Sequence, residues 1–113
     1  MCAHNDEDLA TLAKKTVVLI NCVGPYSAHG EATYKACANN GTHYLDVTGE
    51  VVFVADMIKK YEATAKASGS IMISQIGLES ALADLATWSI VQMIRARFSS
   101  PTADVVFAVE DLR

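Results

Sequence analysis

Residues 16–23, TVVLINCV, form an unbroken apolar run rich in β-branched side chains, and the run stops at Gly24-Pro25. A strand with one wet face alternates polar and apolar residues. A strand covered on both faces does not, and continuous runs of this kind belong to parallel sheets. The run therefore predicts a strand whose middle residues, Val18 and Ile20, are buried against helices. Proline ends it, because its ring fixes φ and it has no N–H to donate.

The remainder of the chain repeats this pattern with helices in between. Residues 43–47, HYLDV, and 70–74, SIMIS, are further strand-like runs. Residues 28–40 read as a helix with Ala32, Lys35, Ala36 and Asn39 along one side and Asn40-Gly41 as its stop. Residues 52–68 carry Phe53, Met57, Tyr61, Thr64 and Ala65 at spacings of three and four, and 80–97 carry Leu82, Leu85, Ala86, Ile90, Met93 and Ile94. A short helix at 9–15, capped by Asp8, precedes the first strand. Residues 104–109 read as a last strand, after a composition break near 99–102. Short strands alternating with longer helices over short connections predict βαβ crossovers and a three-stranded parallel sheet.

Composition narrows the function. Of 113 residues, 51% are hydrophobic and 19% charged, the balance of one globular domain. The formal net charge is −4 and no run of Lys or Arg occurs, so a nucleic-acid surface is not expected. Cys2, Cys22 and Cys37 are odd in number and form no CxxC, and His4, His29 and His43 do not complete a zinc spacing. They read as free thiols of a reducing compartment, and no metal site is expected. No apolar run is long enough to span a bilayer, and the polar N-terminus lacks a signal-peptide pattern. A soluble cytoplasmic protein is the expectation.

In parallel sheets ligands bind beyond the carboxyl ends of the strands. Three glycine-containing loops occupy that edge here: 24–30, 48–51 and 75–80. They are either turn glycines or places where backbone approaches a ligand closely. In the first loop Tyr26 and His29 could stack on or hydrogen-bond to a flat ring, or His29 could be a surface residue at a helix start. Asp46, Glu50, Glu79 and Asp84 are the acidic candidates, with capping or helix-dipole pairing as the alternative for Glu50 and Glu79. Neither GxGxxG nor GxxxxGK[ST] occurs, so no pyrophosphate-cradling turn is encoded.

The segment Asn21-Cys22-Val23-Gly24-Pro25-Tyr26 with His29-Gly30-Glu31 resembles the saccharopine dehydrogenase-like oxidoreductases. So do Lys35-Ala36-Cys37 with Asn40-Gly41, His43-Tyr44-Leu45-Asp46 with Thr48-Gly49-Glu50, and Gly77-Leu78-Glu79-Ser80 with Ala83-Asp84-Leu85. The resemblance implies an α/β fold that is the C-terminal part of a Rossmann-like doubly wound parallel sheet, lacking the first βαβ unit. Residues 1–100 would be a partial NAD(P)-binding domain, with 101–113 starting a following strand or second domain. On this reading the chain is an internal piece of a longer protein.

The implied activity is hydride transfer between NAD(P) and a small carbonyl, imine or enoyl substrate. Val23, Gly24, Pro25 and Tyr26 would lie along the cofactor near its ribose and nicotinamide end. Gly49, Glu50, Gly77, Leu78 and Glu79 would line the substrate cleft. No catalytic residue is assigned, and His29 and Glu50 are the polar groups to test first. Without the glycine turn, the chain alone is expected to bind NAD(P) weakly or not at all. The alternative is a non-catalytic α/β module that self-associates or binds a partner through an exposed sheet edge.

Overall fold

A computed structural model of the chain describes residues 5–78 and 80–108. The chain divides into two compact units, Met1–Gly77 and Leu78–Arg113. The first holds α1 (Asp6–Lys14), β1 (Val18–Asn21), α2 (Tyr26–Asn40), β2 (His43–Asp46), α3 (Val51–Ser68) and β3 (Met72–Ile73). The second holds α4 (Ala81–Phe98), none of whose residues is buried.

The three strands form one parallel sheet in the order β1-β2-β3, as their apolar runs predict. Register aligns Leu19 with Tyr44 and Tyr44 with Met72 in one row, and Ile20 with Leu45 and Leu45 with Ile73 in the next. Consecutive residues of a strand point to opposite faces, so these rows belong to different sides of the sheet. The first row meets the helices. Tyr44 is fully buried and, with Tyr26, Tyr34, Cys37, Phe53 and Met57, makes the core on which Leu19 and Met72 pack.

The second row is largely uncovered, with only Leu45 half-buried. Ile20 is 64% exposed, and Val18 and Ile73 are also exposed. The two-sided burial expected of Val18 and Ile20 is thus incorrect within this unit. The cause is topological. Successive parallel strands joined by crossovers of one hand place their helices on one face. Here α3 and α1 each pack beside α2.

Local chemistry explains several boundaries. Asn5, not Asp8, caps α1, its Oδ1 accepting the Glu7 N–H at 3.2 Å. α2 starts at Tyr26, two residues before the expected position, and its buried residues include Tyr26, Gly30, Thr33, Tyr34 and Cys37. Of the four residues read along one side of this helix, Ala36 is buried and Ala32 half-buried, while Lys35 and Asn39 are exposed. The real inward face contains glycine, threonine and cysteine, so hydrophobic periodicity does not reveal it. α2 and α3 end at Gly41 and Gly69, at φ +73° and +79°. Such left-handed helix caps suit glycine. The described part of the expected last strand, 104–108, forms no strand.

At the amino ends of the strands, hydroxyl groups tie the elements together. Thr42 Oγ1 donates to the Ala13 carbonyl at 2.6 Å, fixing the end of α1. Ser68 Oγ donates to Ala38 O at 2.6 Å, and Ser70 Oγ lies against the Thr42 carbonyl.

Candidate functional site

At the carboxyl ends of the strands, side chains of alternating residues fold the outgoing loops. Asn21 closes β1. Its Oδ1 accepts the Val23 N–H at 3.1 Å, its Nδ2 donates to the Tyr44 hydroxyl at 3.2 Å, and its carbonyl accepts the Tyr26 hydroxyl at 2.8 Å. This one buried residue thereby sets the exit of β1, its side-chain amide pairing with the Tyr44 phenol and its main-chain oxygen with that of Tyr26. Burial holds the Tyr44 hydroxyl protonated well above the usual phenol range.

Asp46 does the same for β2. It is fully buried. Its Oδ1 accepts the N–H of Thr48 at 3.1 Å and of Gln75 at 2.9 Å, and its Oδ2 accepts the Ser74 hydroxyl at 2.9 Å. Its main-chain oxygen accepts the Ile76 N–H. Gln75 sits at φ +62°, a conformation costly for a residue with a Cβ. The carboxylate of Asp46 is one of the groups that hold it there.

Glu50 joins the second loop to the first. It is the N-cap of α3 but makes no side-chain bond to that helix. Instead, Oε1 accepts the Tyr26 N–H at 2.7 Å and Oε2 accepts the Ser27 N–H at 2.9 Å, at the start of α2. The Glu50 N–H in turn donates to Thr48 Oγ1 at 3.0 Å. A side-chain hydrogen bond with Ser27, then the Ser27 and Tyr26 N–H groups, hold the Glu50 carboxyl below the usual carboxylate range. The dipole that this carboxylate meets is that of α2, not that of its own helix.

These contacts decide what each candidate residue can offer. Val23, Gly24 and Pro25 are exposed at the edge, and the Gly24–Pro25 peptide is cis. The Tyr26 ring is buried, 6.0 Å from that of Phe53, so the core takes it and only its backbone lies at the loop. Gly30 is not a loop residue at all. It lies within α2, where an added Cβ would meet the Phe53 ring at 2.6 Å. At Gly49 an added Cβ would meet nothing within 4 Å, and at Gly24 only the Tyr26 ring at 3.8 Å. The chain's own packing is therefore tight at Gly30, makes only ordinary contact at Gly24 and leaves open space at Gly49. At Gly77 it would touch Val47 at 3.4 Å.

Glu50 lines a hollow of about 510 Å³ with Ser27, Phe53, Asp56 and Lys60. His29 lines another, of about 330 Å³, with Asp6, Lys35 and Tyr61. The two polar groups singled out for testing thus line different hollows, which share Glu31. Leu78 is exposed and belongs to the second unit, and Glu79 lies outside the described residues. No group of three or more metal-ligating side chains is found among the described residues. The sequence reading missed Asn21, Thr48, Ser74 and Gln75. The signal for part of this was present in Asp46-x-Thr48-x-Glu50, where each acceptor side chain meets an N–H two residues on.

A family model described as the saccharopine dehydrogenase NADP binding domain matches residues 1–73. The chain belongs to that family. Its parallel three-stranded α/β unit is accordingly a partial Rossmann-like domain. Among curated relatives of the saccharopine dehydrogenase-like family, the chain is 42% identical over 81 residues to "Saccharopine dehydrogenase-like oxidoreductase" of Bos taurus, covering 72% of this chain and 19% of that protein. It is 38% identical over 79 residues to "Probable mitochondrial saccharopine dehydrogenase-like oxidoreductase" of Arabidopsis thaliana, covering 70% and 17%. It is 32% identical over 92 residues to "Trans-acting enoyl reductase" of Mycobacterium leprae, covering 81% and 22%. The chain spans about a fifth of the length of these relatives. No solved structure matches it.

The family's dinucleotide can be tested against the residues present. The N-terminus of α2, the natural place for a phosphate at this edge, already holds the Glu50 carboxylate.

Proposed function

We propose that the carboxyl edge of this sheet carries the ring-facing part of an NAD(P) site in an oxidoreductase. In that enzyme hydride would pass between the nicotinamide and a small carbonyl, imine or enoyl substrate. The cofactor supplies the hydride chemistry, and the protein orients it. The observation that carries the reading is the open space at Gly49 and the exposed backbone of Gly24, on loops that Asp46 and Glu50 hold in fixed shape. Val23, Gly24, Pro25 and the Tyr26 backbone would lie along the cofactor. Gly49, Glu50 and Gly77 would border the substrate, and His29 is a further candidate polar group. We further propose that this domain runs to about residue 100, that the segment beyond begins a following one, and that the protein is cytoplasmic. No helix among the described residues is long and apolar enough to cross a membrane.

The test is a titration of the chain with NADPH and NADH, read by amide chemical shifts. Weak binding is expected, because no glycine turn is present to hold the pyrophosphate, with shifts concentrated at Val23, Gly24, Tyr26 and Gly49. Shifts clustered elsewhere, or micromolar affinity, would relocate the phosphate site and overturn the reading.

A second reading is supported by the exposed Ile20 and Ile73, with the half-buried Leu45 between them. An uncovered apolar sheet face favours association, so the chain could act as a non-catalytic module that pairs with a copy of itself. Sedimentation showing a monomer at high concentration would remove that reading.

A further inference from the structure

Glu50 is an acid on a loop that faces a ligand edge, the usual description of a general acid or base. Its surroundings argue for another role. Both carboxylate oxygens accept main-chain N–H groups, at 2.7 Å from Tyr26 and 2.9 Å from Ser27, across 24 and 23 residues of sequence. Pro25, the N-cap of α2, has no side chain able to satisfy those groups, and the helix has no acidic residue in its first turn. A helix start leaves its first N–H groups without partners and attracts anions. Here an anion from a different loop takes that place, in the position a bound carboxylate or phosphate would occupy.

We infer that Glu50 is a positioning residue, a built-in anion that fixes the Pro25-Tyr26-Ser27 backbone and closes the start of α2 to the phosphates of a ligand. Two consequences follow. The Gly24-Pro25 loop keeps its shape with no ligand present. A dinucleotide lying on this edge can present only an uncharged or cationic ring to the start of α2, because a phosphate would meet both an occupied pair of donors and a like charge. The second consequence rests on the cofactor reading above; the first does not. Among the other charged groups lining the hollow, Lys60 bonds both oxygens of Glu31 at 3.0 Å, and Asp56 adds a further negative charge. Among the described residues no cation pairs with Glu50, and its partners are the Tyr26 and Ser27 amides together with the Ser27 side chain.

The experiment uses the full chain and needs no cofactor. In the wild type, the Tyr26 and Ser27 amide resonances should titrate together with a midpoint below the usual carboxylate range. They should be indifferent to added sodium formate or inorganic phosphate. In Glu50→Ala the acid titration should vanish, and formate or phosphate should shift the same two amides to saturation while raising the melting temperature. Glu50→Gln retains one acceptor oxygen and fills the space. It should lose the acid titration and gain no anion response. If Glu50→Ala folds only when formate is present, that rescue supports the inference. Wild-type amides that move with phosphate, or that show no acid titration, would overturn it, as would a folded Glu50→Ala whose amides ignore formate. Failure of NADPH to shift this edge would count against the cofactor reading alone.

Discussion

Gly30 and Asp46 show how single residues hold this structure. Placing a methyl group at Gly30 would press it to 2.6 Å from the Phe53 ring and 3.3 Å from Tyr26 Cβ, both in the core. Alanine is the better helix former by about 1 kcal/mol. Overpacking a tight core costs about 1–3 kcal/mol and outweighs that gain here, because the new methyl would meet both the Phe53 ring and Tyr26 Cβ inside 3.4 Å. Gly30→Ala is therefore expected to lower stability in urea melts, whereas Gly49→Ala, with open space around it, should change it by less than about 0.5 kcal/mol. Asp46→Ala would leave the Thr48 and Gln75 N–H groups and the Ser74 hydroxyl without their acceptor in a buried place. Each such loss costs about 1–3 kcal/mol, so at least ~2 kcal/mol is expected in the same assay. Exposed Asp56→Ala should be nearly neutral. The importance of an acid at the end of HYLDV was legible, since a strand carboxylate must be paired or face a cleft. The partner of Glu50 was not legible, because nothing local marks a contact 24 residues away.

Among the elements, the strands and their parallel order could be read from apolar runs alternating with helical periods. The side on which each strand is buried could not. A continuous apolar run has the same appearance whether helices cover one face or both, and here only the row of Leu19, Tyr44 and Met72 meets them. Ile20→Ala is accordingly expected to cost about 1 kcal/mol or less, below the ~2–5 kcal/mol of a buried aliphatic. Met57→Ala, at 2% exposure in the middle of α3, should fall within that buried range. Comparable losses for the two variants in denaturant melts would mean that the bare face is covered. The tyrosines of the core escaped the sequence reading for a related reason. Tyr34 and Tyr44 pack edge to face at 4.9 Å, an arrangement that depends on register and not on hydrophobic period.

The whole molecule should be stable over a pH range limited at both ends. Glu31, held by Lys60 and then Tyr61, and Glu50, held by Ser27 and Tyr26, have carboxyls below the usual range, as does Glu62 beside Lys66. A folded pKa below the unfolded one contributes stability that is present above the unfolded value and lost as pH falls through the folded one. Tyr26, Tyr34 and Tyr44 are raised by burial, and burial followed by Glu31 pushes Tyr61 up to about 12. For them the sign reverses. Their contribution is complete below about pH 10 and is lost as pH climbs through the folded values. Urea midpoints measured across pH should show a plateau between these limits. The two ends of the strands will not respond alike within that profile. The carboxyl edge depends on the charge of Glu50, whereas the amino edge is fastened chiefly by Thr42, Ser68 and Ser70, whose hydroxyls do not ionise in this range, with the His43 ring accepting the Ile71 N–H beside them. In hydrogen exchange at acid pH, the Tyr26 and Ser27 amides should lose protection before those of Thr42 and Tyr44, so that the mouth of the sheet slackens before its base.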